Sequence, residues 1–565
     1  VVFAIGAATL VVILRLAQVQ ILEHGQYAYE ARLTHMSQQT LFDRRGALLD
    51  RNGYPLAASE DTFNVMVERR AWKDPREAQE AAEALALITG VPAEEMLEIV
   101  KTVEAFEVPV ARGLNYEQAV AVRRLGLSGV RLLESSRRVY PEGNLAAPLL
   151  GFLGHDNVGL TGLEADLEEI LGGSSGSVTY ERDGLGNQIA VGLRRYIPPQ
   201  PGANVVLTID RFIQRLAERE LDRTIKEHKA AGGTIIVVQP QTGEILAMAS
   251  RPTFDVTRPD LSDESKLALF RNRAITDMYE PGSVFKLITM AAALDLGLVS
   301  PGTWWYDEGV VYVNDWAIRN WDLSAHGSQT VTQILAKSLN TGAAWLASLI
   351  GPERFYEYVY RFGFGQPTSI GLGGEVEGRV RTPDNDPDWR AVDMATNSFG
   401  QGISVTPLQM AMAVAAIAND GLAMKPQIVK EIAGPTSRKV IEPEPREQVI
   451  SPESARILRE MMGVVVDGIS TAFLDVQGYK VGGKTGTANI ATDSGGYKPD
   501  AYISSFAGVA PLDEPVLAVL VKIDEPKGVP WGTVVAAPAF GRIVQEALAY
   551  MKVPPTSEAL VSEIQ

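Results

Sequence analysis

Residues 280–286 read EPGSVFK, a serine followed three positions later by a lysine behind a Pro-Gly pair, and the reading of this 565-residue chain turns on that stretch. On a helix, side chains three apart share a face. Serine is a weak nucleophile until a nearby base takes its proton, and lysine serves as that base when burial or a neighbouring cation lowers its pKa. Ser283 and Lys286 at the start of a helix therefore supply nucleophile and base. The N–H groups of the first turn lie close to any oxyanion that develops. Alone, the pattern is too short to carry an assignment, because Ser-x-x-Lys also occurs at ordinary surface turns.

Two stretches further along change its weight. Ser338-Leu339-Asn340 begins 55 residues after Ser283, inside TQILAKSLNTGAAWLASLI (332–350), whose apolar spacing reads as one helix. KTGTA (484–488) begins 146 residues after Ser338, behind a Gly-Gly pair and ahead of the strand-like AYISSFAGVAP (501–511). Singly, each has a plainer reading: Asn340 as an N-cap or a polar residue on a helix surface, Gly486 as the seat of a strand bulge, Lys484 as an exposed charge. In this order and spacing, with SFGQG at 398–402 between them, they resemble the penicillin-binding transpeptidases.

The resemblance runs over nearly the whole chain and is strongest from about 202 to 551. It implies an α+β fold: a penicillin-binding, serine β-lactamase-like transpeptidase domain, an antiparallel sheet with helices, behind a mixed α/β pedestal and an N-terminal membrane helix. Within it Ser283 is the acylated nucleophile and Lys286 its proton acceptor. Ser338 relays a proton to or from the leaving amine, and Asn340 orients the acyl side chain. Lys484 contributes positive charge, and Thr485, Gly486 and Thr487 form the substrate-binding strand. Thr485 and Thr487 take the terminal carboxylate of a D-Ala-D-Ala stem peptide or of a β-lactam. The oxyanion hole is the backbone N–H of Ser283 and of Thr487. No cofactor is implied.

Composition narrows the alternatives. A formal charge of −17 opposes a phosphate-backbone partner, so no nucleic acid is expected. The absence of cysteine removes disulfides, thiolate metal ligation and thiol catalysis. None of the histidines (His24, His35, His155, His228, His326) stands in an HExxH spacing, so no metal site is expected. The apolar, uncharged run at 1–14 precedes Arg15 and LAQVQIL, and reads as a single membrane helix over 1–22 whose true start lies upstream of Val1.

The remaining divisions are a pedestal at 23–200, a transpeptidase domain at 201–553 and a tail at 554–565. In the pedestal, 42–57 reads as a hairpin around Asn52-Gly53. Residues 74–105 read as helix interrupted at 90–92, with Ala84, Leu85, Leu87 and Ile88 on one face. Residues 159–171 read as helix, and GGSSGSV (172–178) as a flexible connection. A proline-rich linker then gives way to a strand near 204–210, a helix at 211–228 and two strands within 233–250.

Three pedestal stretches, DRRGALLDRNG (43–53), RRVYPEGNLAAPLLGFLG (137–154) and GLTGLE (159–164), resemble the recurrent motifs of class B enzymes rather than a glycosyltransferase domain. The resemblance therefore implies a partner that polymerises glycan, a polytopic SEDS-type glycosyltransferase meeting the anchor and pedestal. It also implies a single-pass protein of the cytoplasmic membrane with its catalytic domain outside. Arg44, Arg45, Arg137 and Arg138 either hold the fold through ion pairs or meet that partner. A non-catalytic penicillin-binding receptor or scaffold, and a D,D-carboxypeptidase, are the competing readings. A β-lactamase of class A would add a glutamate-bearing loop for deacylation, and no match to it is present.

Overall fold

The computed structural model describes residues 2–25, 36–41, 44–154, 156–181, 189, 194–492 and 496–556. Phe42 and Asp43 of the expected hairpin and residues 557–565 of the expected tail lie outside them. The leading apolar run forms the helix Val2–Ala17, continued by a wider-wound turn Gln18–Leu22. By length and composition, Ile5–Leu22 is long and apolar enough to cross a membrane.

The rest divides into two compact units. The smaller comprises Val1–Gly46, Ser59–Arg138 and Glu169–Ala203; the larger comprises Ala47–Ala58, Val139–Glu168 and Asn204–Gln565.

In the smaller unit, Asp74 caps the helix Pro75–Thr89 by accepting from the N–H of Arg76 and Glu77, and Gly90 ends it in the left-handed region at φ +75°. A second helix, Ala93–Thr102, follows. Their buried faces meet strand residues Val65, Val67, Val108 and Val110 in one apolar core. Leu87 departs from expectation: it is 90 % exposed. At 100° per residue it stands about 200° from Leu85, so it cannot share the buried face of Ala78, Ala81, Ala82 and Leu85. The expected flexible connection at 172–178 is also otherwise. Ser174 exchanges backbone hydrogen bonds with Gln200, and Gly176–Glu181 is the middle strand of an antiparallel trio with Met36–Leu41 and Arg194–Ile197. The expected arginine ion pairs are present: Arg137 with Glu60 at 2.8 Å and Arg44 with Asp61 at 3.5 Å, while Arg138 donates to the Gly46 carbonyl at 2.8 Å.

The larger unit is built on a five-stranded antiparallel sheet in the order Glu244–Arg251, Gly232–Gln239, Leu517–Asp524, Tyr497–Ala510, Gly482–Ala491. Alternate residues of a strand face opposite sides. Leu517, Val519, Val521 and Ile523 thus join a core with the helices Arg211–His228 and Ala537–Tyr550. The helix Pro407–Ala418, buried along its length, packs on Gly232–Gln239 and Leu517–Asp524. The expected helix at 211–228 and the hairpin within 233–250 both form. So does the hairpin at Asn52-Gly53, where Asp50 accepts the N–H groups of Asn52 and Tyr54 at 2.9 Å each. The expected helix at 159–171 is two short pieces, Gly162–Asp166 and Glu168–Leu171.

Candidate active site

Pro281 and Gly282 turn the chain into one 3-10 turn, Gly282–Phe285, which runs into the helix Lys286–Asp295. Gly282 has φ +58°, a conformation that L side chains rarely adopt, and a Cβ there would stand 3.0 Å from the Thr487 carbonyl oxygen. The SFGQG turn packs against the same point. Gly282 N–H donates to Gly400 O at 3.0 Å, and a Cβ on Gly400 would lie 2.2 Å from Gly282 O. Glu280 adds a third tie, accepting from the Gly402 N–H and the Tyr497 hydroxyl at 3.1 Å each. The turn bearing Ser283 is thereby clamped by backbone on two sides.

The second motif corrects the single helix read over 332–350. Helix Val331–Ala336 stops, Ser338 takes φ +58°, and a new helix starts at Asn340. Holding a non-glycine residue in the left-handed region costs roughly 1–2 kcal/mol. The corner turns both oxygens of Ser338 onto one amine. Lys286 Nζ lies 2.6 Å from Ser338 O, 3.2 Å from Ser338 Oγ, 2.8 Å from Asn340 Oδ1 and 3.1 Å from Ser283 Oγ. Asn340 is the first residue of its helix, with Leu339 in the cap position, so it is not an N-cap.

The third motif lies within the edge strand Gly482–Ala491. Gly486 pairs with Ser505 in regular register, so no bulge sits there. It is glycine because a Cβ would meet Ser505 Oγ at 2.4 Å, Val284 Cγ2 at 2.8 Å and Pro281 O at 3.0 Å. The strand can approach the nucleophile turn only with that side chain missing. Lys484 is not an exposed charge but 1 % exposed, its Nζ 3.0 Å from the Thr485 carbonyl. Thr487 Oγ1 accepts from the Gly532 N–H at 3.2 Å.

Electrostatics follow from this burial. Desolvation, and after it the charge of Lys484, hold Lys286 well below the ordinary lysine pKa. Burial alone brings Lys484 down to about 7. Neutral Lys286 has two N–H donors and one lone pair. Ser338 O and Asn340 Oδ1 only accept, so they take the donors, and the lone pair is left for the two hydroxyls, Ser283 at 3.1 Å and Ser338 at 3.2 Å.

In front of Ser283 opens a cavity of about 590 Å³ lined by Ser283, Ser338, Asn340, Thr485 and Thr487. Its other walls are Phe399 and Gln401 of the SFGQG stretch, together with Trp321, Asn489, Tyr502 and Trp531, which were not found from sequence. Trp321 and Trp531 meet edge to face, ring centroids 5.5 Å apart. They come from loops 210 positions apart, and no local pattern marks either. Glu280 stood inside the opening heptapeptide, but its partners lie 122 and 217 residues away. Among the described residues no group of acidic, histidine or cysteine side chains is arranged to hold a metal ion.

A serine facing a buried lysine of depressed pKa at the edge of an antiparallel sheet, with a second serine on the same amine, is equipment suited to serine acyl transfer. The chain belongs to the class B penicillin-binding proteins: the penicillin binding protein transpeptidase domain matches residues 233–545 and the penicillin-binding protein dimerisation domain residues 43–207. It is 37 % identical over 530 residues to stage V sporulation protein D of Bacillus subtilis, covering 92 % of this chain and 80 % of that one. It is 32 % identical over 553 residues to the peptidoglycan D,D-transpeptidase FtsI of Escherichia coli, covering 96 % and 89 %. Among solved structures it resembles penicillin binding protein 2X of Streptococcus thermophilus at TM-score 0.78 and 25 % identity, over 93 % of this chain and 82 % of that one.

Proposed function

We propose that this peptidoglycan D,D-transpeptidase works through an acyl-enzyme on Ser283, with neutral Lys286 as its base. The observation that carries the reading is the four-way contact of Lys286 Nζ with Ser283, both oxygens of Ser338, and Asn340. As Ser283 Oγ attacks the carbonyl of the penultimate D-Ala, its proton passes to Lys286. The oxyanion is met by the N–H groups of Ser283 and Thr487, whose chain segments are in contact. Collapse of the tetrahedral adduct breaks the peptide bond, and Ser338 hands a proton to the departing D-Ala amine. An amine from a second stem peptide then attacks the ester, and the same groups run in reverse. Thr485 and Thr487 take the substrate carboxylate beside Lys484, Gly486 lets their strand approach, and Asn340 orients the acyl side chain. A β-lactam enters the first half of this cycle and stays bound as the acyl group.

The N-terminal helix anchors the chain as a single pass in the cytoplasmic membrane with the catalytic unit outside, where uncross-linked peptidoglycan lies. A SEDS-type glycosyltransferase supplies the glycan and meets the anchor and pedestal. On this reading the pedestal is assigned to 23–200 and the catalytic domain to 201–553. The test is a cross-linking assay on lipid-linked precursor with a polymerase. Cross-linked dimers with wild type and none with Ser283→Ala are expected. Acylation without dimers would indicate a receptor or scaffold, and rapid release of free D-Ala without dimers a carboxypeptidase.

A further inference from the structure

Between the first two motifs, the chain forms two small antiparallel strand pairs, Trp304–Asp307 with Gly327–Thr330 and, nested between them in sequence, the hairpin Val310–Val313 with Trp316–Arg319. Asp307 is 0 % exposed where they join. It accepts from Asn320 Nδ2 at 2.7 Å, Thr341 Oγ1 at 2.9 Å, and the N–H groups of Gly309 at 2.9 Å and His326 at 3.1 Å. Asn320 Oδ1 in turn lies 3.3 Å from the Thr341 N–H and 2.8 Å from its hydroxyl. Thr341 follows Asn340 and Asn320 follows Arg319, and those neighbours also meet: Asn340 Nδ2 donates to Arg319 O at 3.1 Å. A carbonyl oxygen only accepts, so the Asn340 amide is held with Nδ2 toward Arg319 and Oδ1 toward Lys286.

That orientation decides the polarity of the Ser283–Lys286 contact. With Oδ1 facing the amine, both Lys286 N–H groups are occupied and the lone pair faces the Ser283 and Ser338 hydroxyls. With the amide reversed, an Asn340 N–H would meet the lone pair, and a Lys286 N–H would turn to Ser283 Oγ, opposing the proton transfer. A buried carboxylate is a costly way to close a small hairpin, and apolar side chains would do it at less cost. Fully satisfied, such a network instead imposes one geometry.

We propose that Asp307, acting with Asn320 and Thr341, is a positioning residue for acylation, fixing the Asn340 amide and through it the direction of the Ser283–Lys286 hydrogen bond. The inference rests on the acyl-enzyme reading above. Full-length Asp307→Asn, Thr341→Val and the conservative Thr341→Ser would be followed with a fluorescent penicillin over a range of concentrations. In the first two the covalent rate constant falls about ten-fold or more, as expected for a lost buried hydrogen bond felt in the transition state. The pre-covalent dissociation constant stays within about two-fold, every chain is labelled in the end, and Thr341→Ser reacts nearly as wild type. Unchanged rate constants in both Asp307→Asn and Thr341→Val would overturn the inference. So would a reduced labelled fraction reacting at the wild-type rate, the mark of misfolding alone. Wild type that takes no label on Ser283 would remove the acyl-enzyme reading, and this inference with it.

Discussion

Two clusters of buried or half-buried cations in the larger unit have opposite surroundings. Around Lys286, every hydrogen-bond partner is neutral: two hydroxyls, a backbone carbonyl and an amide. Around the Asn52-Gly53 hairpin, each arginine meets a carboxylate. Arg51 pairs with Glu244 at 3.0 Å, and Arg211 pairs with Glu142 at 3.0 Å while lying 3.6 Å over the Tyr54 ring. A carboxylate neighbour keeps a cation charged and turns it into architecture. Neutral partners in a buried site leave an amine easier to deprotonate, which is what the proposed base requires. An arginine could not serve at the first place, because it does not deprotonate.

The sharpest way to break that contrast is to exchange the cation. Lys286→Arg should lose acylation as completely as Lys286→Ala, by more than about a thousand-fold, because removing one member of a catalytic unit costs most of its effect. Thermal unfolding of Lys286→Ala should stay within about 1–2 kcal/mol of wild type, which separates lost chemistry from lost fold. Near-normal acylation by Lys286→Arg would undo the neutral-base argument.

A middle-sized effect concerns pH. Acylation requires unprotonated Lys286, so the rate should fall as pH drops through its depressed pKa. Replacing Lys484 by Met removes a positive neighbour, makes protonated Lys286 less unfavourable and raises its pKa. The acid limb of the acylation rate should therefore move to higher pH. The same substitution should stabilise the fold, fully below about pH 7 and progressively less as pH rises toward about 10.4. Below about pH 7 the folded state must carry a buried charge, whereas the unfolded chain binds its proton up to about pH 10.4. Melting temperatures of wild type and variant across pH 5 to 9, on the order of the physiological range, measure the sign.

On the architectural side the changes should be smaller and confined to stability. Arg211→Ala loses the ring contact and one of the two arginines on Glu142, which keeps Arg215, for roughly 1–2 kcal/mol in urea unfolding, with the acylation rate of folded chains unaltered. Arg137→Ala breaks only an exposed pair with Glu60 and should cost less than about 1 kcal/mol.

The three motifs were legible because each packs its chemistry into a few consecutive residues: Ser283 with Lys286, Ser338 with Asn340, and Lys484 to Thr487. The hairpin at Asn52-Gly53 and the helix Arg211–His228 were legible for a similar reason, since turn residues and a cap declare themselves locally. The corner at Ser338 was not. Ile334, Leu335, Leu339 and Ala343 are all buried, so the apolar spacing runs straight through the break and imitates one helix. Leu87 misled through identity, an apolar residue on the solvent side. Asp307 and the Trp321–Trp531 wall act only through tertiary contacts, and nothing in their neighbourhoods announces them.

The central claim is that Ser283 carries the acyl group because neutral Lys286 takes its proton. Its most direct test is to label the purified chain with a fluorescent penicillin and map the adduct by mass spectrometry. One label per chain on Ser283, absent from Ser283→Ala and from Lys286→Arg, is the predicted result; label retained by Ser283→Ala, or found on another residue, would contradict it.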